Sequence, residues 1–105
     1  MTKPVRLAKH DITRRLAKLN GGPRAEQGWQ RVGNTLLKEF VLGSFTGAAK
    51  FIGKIAPRAN AMDHHPDVQL YGYKRVTIIL TTHDAGGITR KDFDLAAKID
   101  ELAPC

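Results

Sequence analysis

A chain of 105 residues with 42% apolar and 26% charged side chains has the composition of one globular domain. Its longest apolar runs, such as Phe40 to Leu42 and Val76 to Leu80, fall far short of the roughly 18 residues of a membrane span, and one cysteine, Cys105, leaves no internal disulfide or thiolate cluster and fits a reducing, cytoplasmic setting. The net charge of +7 is uneven: residues 1–25 hold seven basic side chains against Asp11 alone, whereas the other 80 residues hold ten basic and nine acidic, so attraction to nucleic acid would come from one N-terminal segment and is the weakest of the readings weighed.

In chain order, Ala8, Ile12, Leu16 and Leu19 predict a helix over residues 10–19 with a basic outer face, stopped by Asn20, Gly21, Gly22 and Pro23. An arginine-rich helical start also fits an organellar transit peptide, but Asp11 and the lack of serine oppose that, and no secretory signal is present. Trp29 to Val32 and Leu36 to Leu42 read as a hairpin turning at Gly33 and Asn34. Ser44 is a candidate N-cap for a second helix whose buried stripe is Phe45, Ala48, Ala49, Ile52, Ile55, Ala56 and Ala59. Pro57 cannot donate to the carbonyl of Gly53, which predicts a kink or an early end. Val68 to Tyr71 and Arg75 to Thr82 form a second hairpin around Gly72 to Lys74. Thr89 and Asp92 make a capping box for a third helix that buries Leu95, Ala96, Ile99 and Leu102. The order α-β-β-α-β-β-α predicts one α+β domain over residues 1–105: a four-stranded antiparallel sheet with three helices on one face. The open face would favour self-association.

Three of the four histidines carry the chemistry. If the second hairpin folds about residues 73–74, His64 and His65 fall opposite His83, roughly 5 Å apart across the ladder. His65 before Pro66 is biased to extended backbone, so His64 joins the same cleft only if the chain bends between them. Imidazoles, with an ordinary pKa of about 6.5, exchange protons near neutrality, and neighbours disfavour each other's charged forms, which suits general acid–base catalysis. A three-histidine metal site is the rival, weakened by the adjacency of two of the histidines. Taken by themselves, Trp29 reads as a core residue, Asp84 as a loop cap and Asp92 as the partner of Thr89.

The run Asp63, His64, His65, Pro66, Asp67, followed by Tyr73, Arg75, Val76, Ile78 and Leu80, then Thr82, His83, Asp84, Gly86, Gly87, Ile88, Thr89, and Asp92, Leu95, Ala96, Ile99 and Asp100, resembles the signature of the pterin-4a-carbinolamine dehydratases. The likeness covers residues 28–102, including Gly28 and Trp29, with residues 1–25 as a basic N-terminal helical segment. The resemblance implies a hydro-lyase that dehydrates 4a-hydroxytetrahydrobiopterin to the quinonoid dihydropterin behind an aromatic amino acid hydroxylase. It implies His64, His65 and His83 as catalytic residues, Trp29, Pro66, Thr82 and Asp84 as substrate-binding residues, no metal and no cofactor, and a homodimer or homotetramer. It also implies an alternative, since a member of the family serves as a dimerisation cofactor for a transcription factor. The sequence departs from the pattern at Asn60, where many members carry an acid four residues before the first histidine. A carboxylate that could orient an imidazole is therefore expected to be missing. A longer approach over residues 20–27, a His65–His83 hairpin one residue longer than usual and the proline in the second helix are further departures.

Overall fold

The computed structural model describes residues 5–21 and 28–103. Cys105 and part of the expected helix stop and basic segment, including Lys3, Gly22, Pro23 and Arg24, lie outside the described residues, as does most of the longer approach to Trp29. The elements are α1 (Lys9–Asn20), β1 (Gln30–Val32), β2 (Thr35–Val41), α2 (Phe45–Met62), β3 (Asp67–Tyr71), β4 (Arg75–Leu80), a single 3₁₀ turn over His83–Ala85, and α3 (Arg90–Leu102). The expected order α-β-β-α-β-β-α holds, and the strands pair antiparallel in the order β1-β2-β4-β3.

Period-two patterning gives the sheet one apolar face. Leu36, Phe40, Val76, Ile78 and Leu80 are buried and alternate with outward residues, while Val68 and Leu70 pack against the same core. The helices supply the other half of that core through Ile12 of α1, Ala48, Phe51 and Ile55 of α2, and Leu95, Ala96 and Ile99 of α3, with α3 touching both other helices. The opposite sheet face keeps Val41 and Tyr71 exposed beside the Arg75–Glu39 ion pair. Leu16 and Leu19 also pack on the core, so the basic α1 is an integral helix of the domain.

Local chemistry sets the boundaries. The first hairpin turns through Gly33 at φ +60°, the left-handed region that a two-residue turn of this kind demands. Ser44 Oγ accepts from the Gly47 N–H at 2.9 Å and starts α2. The helix then runs through Pro57 to Met62 and does not end early. Both Pro57 and Gly53 are exposed, so the pyrrolidine ring and the undonated carbonyl face solvent, where water can serve the carbonyl. The buried stripe of α2 is narrower than expected: Ala48, Phe51, Ile55 and Ala59 are inside, Ile52 is half-buried, and Phe45, Ala49 and Ala56 are exposed.

The second hairpin is centred on Tyr73, with Tyr71 paired to Arg75 and Asp67 to Ile79. This shifts the expected register. Extended past Pro66, it would set Thr82 and Thr81, rather than His83, against His64 and His65. The strand β4 also stops at Leu80, short of the expected Thr82. His83 therefore does not meet the other histidines across a ladder; it reaches them by a different route.

Candidate active site

The histidines sit on two sharp reversals that face each other. Asp63 closes α2 in the left-handed conformation at φ +49°, and the His64 N–H donates to the carbonyl of Ala59 at 3.1 Å. That bend is the one the sequence required to bring His64 beside His65. Across from them, Thr82 and Gly87 exchange backbone hydrogen bonds of 3.0 and 3.3 Å, and the 3₁₀ turn caught between carries His83. A cavity of about 290 Å³ opens between the two reversals, lined by His64, His65, His83, Thr82, Asp84 and Lys91 together with Asp63 and Thr81. That volume lies near the lower end of ordinary small-molecule sites, which start at roughly 300 Å³.

The three imidazoles differ in environment. His64 is buried and its Nε2 meets Asp92 Oδ1 at 2.5 Å. Asp92 is wholly buried, and its second oxygen accepts from the Thr82 hydroxyl at 2.8 Å and from the Thr89 N–H at 2.9 Å. Since the Thr82 proton goes to the carboxylate, Thr89 donates its hydroxyl to Thr82 Oγ1 at 2.8 Å. The carboxylate thus receives donors on both oxygens, as a buried charge needs. Paired with a carboxylate acceptor, Nε2 of His64 donates its hydrogen, which leaves Nδ1 without a hydrogen-bond partner among the described residues. His65 is exposed, with Nε2 3.1 Å from Asn60 Oδ1, so the amide oxygen at this departing position still orients an imidazole. The missing carboxylate is in fact supplied, to the other histidine, by Asp92. His83 is exposed, and its ring has no hydrogen-bond partner among the described residues.

Of the expected binding residues, Thr82 and Asp84 line the cavity. Pro66, half-buried just before β3, is not among the lining residues. Trp29 is not brought there either. It is 1% exposed, meets Phe40 edge to face at 6.1 Å between ring centres, and donates its indole N–H to Asp100 at 3.1 Å. It borders a larger cavity of about 450 Å³ between α1 and β1. Among the described residues no histidine or carboxylate lines that space, so size alone does not mark the chemical site. Sequence reasoning missed Asp92 as a partner of His64 and missed Lys91 on the cavity wall. The capping box was a usable signal, because a cap engages one carboxylate oxygen and leaves the second free. Among the described residues no group of three or more histidine, cysteine or acidic side chains is arranged to hold a metal ion.

The sequence model of the family described as Pterin 4 alpha carbinolamine dehydratase matches residues 5–102, extending the likeness upstream through α1. A protein from a Roseiflexus species, provisionally named a pterin-4-alpha-carbinolamine dehydratase, is 46% identical over 97 residues, 92% of this chain and 96% of its own length. A crystal structure described as a transcriptional coactivator/pterin dehydratase from Brucella melitensis superposes with a TM-score of 0.83 at 30% identity, covering 94% of this chain and 99% of that one. A pterin dehydratase-like protein identified as a RuBisCO assembly factor in the alpha-carboxysome matches with a TM-score of 0.61 at 26% identity, over 72% of this chain and 89% of its own.

Proposed function

The chain belongs to the pterin-4a-carbinolamine dehydratase family, and from that premise we propose that it is a cytoplasmic hydro-lyase that dehydrates 4a-hydroxytetrahydrobiopterin to quinonoid dihydrobiopterin, returning the pterin used by aromatic amino acid hydroxylases. The observation that carries this reading is the convergence of His64, His65 and His83 on one cavity, with His64 held on a buried carboxylate. The reaction breaks the C4a–O bond, forms the N5=C4a double bond with the nitrogen lone pair, takes the proton from N5 and delivers one to the departing hydroxyl. Water is the only co-product, and the step calls for proton transfer and positioning alone. His64, through Nδ1, and His65 act as acids toward the hydroxyl. His83, whose ring has no partner among the described residues to compete for it, takes the N5 proton or holds the pterin edge. Thr82 and Asp84 contribute polar edges to the ring.

A dehydration assay on chemically generated 4a-hydroxytetrahydropterin tests this. His83→Ala should lower turnover by about 10²- to 10⁴-fold if it transfers a proton, and an unchanged rate would remove it from the mechanism. His64→Ala and His65→Ala should each slow the reaction as well. A second reading, a protein-binding module working as a homodimer or homotetramer, is favoured by the uncovered sheet face with exposed Val41 and Tyr71. Full activity in all three histidine variants, beside a retained oligomer in sedimentation, would move the assignment there.

A further inference from the structure

On the far side of the loop that carries His83, a third cavity of about 260 Å³ is lined by Arg6, Lys9 and Arg31 together with Asn34, Ile12 and Ile88. It holds several times the roughly 30 Å³ that one water occupies in the liquid, and among the described residues no carboxylate lines it. We propose that this cavity is a binding site for a phosphate group.

Arg6 is built into the site. The Leu7 N–H donates to the carbonyl of Ile88 at 2.9 Å and fixes the segment ahead of α1. A Cβ on Gly87 would lie 2.6 Å from Arg6 Cδ and 3.1 Å from its Cγ, so the arginine stem rests on bare glycine backbone. Arg31 spends Nε on the Gly33 carbonyl at 3.1 Å, which sets the plane of the guanidinium and leaves its terminal nitrogens to bind. Among the described residues none of Arg6, Lys9 and Arg31 has a carboxylate partner. The nearest candidate in the first turn of α1, Asp11, is taken by Arg14 at 3.0 Å and lies 3.7 Å from His10. Three like charges around one cavity repel each other, and a dianion among them reverses the sign of that interaction; guanidinium groups match phosphate oxygens in pairs. The first turn of α1, whose N-cap Ala8 offers no side-chain acceptor, adds amide donors of the same polarity.

This cavity and the histidine cavity have no lining residue in common, but hydrogen bonds join their frames. The hydroxyl of Thr81, a residue lining the histidine cavity, donates to the carbonyl of Asn34 at 2.7 Å, and Gly87 beneath Arg6 closes the His83 loop through Thr82. The phosphate is either free or carried as a monoester on the side chain of the pterin, and only the second source rests on the dehydratase reading.

Calorimetric titration of the full chain with inorganic phosphate at constant ionic strength tests the site. Saturable binding should weaken about tenfold or more in Arg31→Gln and in Lys9→Gln, as loss of a charge-assisted contact implies. Gly87→Ala, which displaces the Arg6 stem, should weaken it too, while His64→Ala binds phosphate like wild type. Circular dichroism confirms the fold of each variant. Absent saturation, or equal binding in Arg31→Gln and Lys9→Gln, overturns the site. Titration with a neutral-side-chain pterin and its phosphate monoester identifies the source: a monoester advantage that Arg31→Gln abolishes means carried phosphate, and no advantage beside intact phosphate binding means free phosphate. Failure of the neutral pterin to bind wild type would count against the dehydratase reading alone, since the phosphate titration decides the site independently.

Discussion

The two oxygens of Asp92 serve different partners, one holding His64 and the other closing the start of α3 on Thr82 and Thr89. Asp92→Asn would present an amide N–H to groups that already donate, so one buried donor loses its acceptor, at a cost of about 1–3 kcal/mol in chemical unfolding. Turnover should also fall, with KM little changed, but by less than the ~10²- to 10⁴-fold expected when a proton-transferring group is removed outright. Combined with His64→Ala, the substitution should add almost nothing, because both act through one imidazole. Additive losses would show that Asp92 works independently of His64. The three histidines were legible as candidates, although the ladder expected to join them is not the route by which they meet. Their partner was not: 28 positions separate His64 from Asp92, and the pairing depends on where the first turn of α3 is docked.

At the scale of elements, α2 tolerates a proline that sequence rules place at a break. Pro57 withholds a hydrogen bond from Gly53, yet Ile55 and Ala59 on either side are buried against the core, and that packing outweighs the roughly 3 kcal/mol a proline costs a helix interior. Pro57→Ala should therefore stabilise the fold, each kcal/mol gained raising Tm by about 4–8 °C for a domain of this size, without altering turnover, since Pro57 does not line the histidine cavity. A lowered Tm would mean that the chain uses the proline's bend to seat its buried stripe. The second hairpin makes the related point for strands: alternation located β3 and β4, but the turn over Gly72 to Lys74, with both Gly72 and Tyr73 at positive φ, chose the register.

For the whole molecule, Trp29 is the knot. Asn20 at the end of α1 clamps its backbone with two hydrogen bonds of 2.8 Å, and Asp100 near the end of α3 accepts its indole N–H while also pairing with Lys38 of β2 at 2.9 Å. A Cβ on Gly28 would collide with Asn20 Oδ1, so that clamp needs glycine just before the tryptophan. Unfolding followed by the fluorescence of this single tryptophan should coincide with far-UV circular dichroism, as one cooperative core requires; separated transitions would show α1 detaching before the sheet melts. What the sequence determined alone was the alternation of helices and strands, the apolar faces and the histidine trio, because periodicity, capping and turn chemistry act within a few residues. The tertiary structure decided which carboxylate holds which imidazole, the route by which His83 arrives, the place of Trp29 and the gathering of Arg6, Lys9 and Arg31. Each of those depends on the docking of elements far apart in the chain, and no local pattern encodes that geometry.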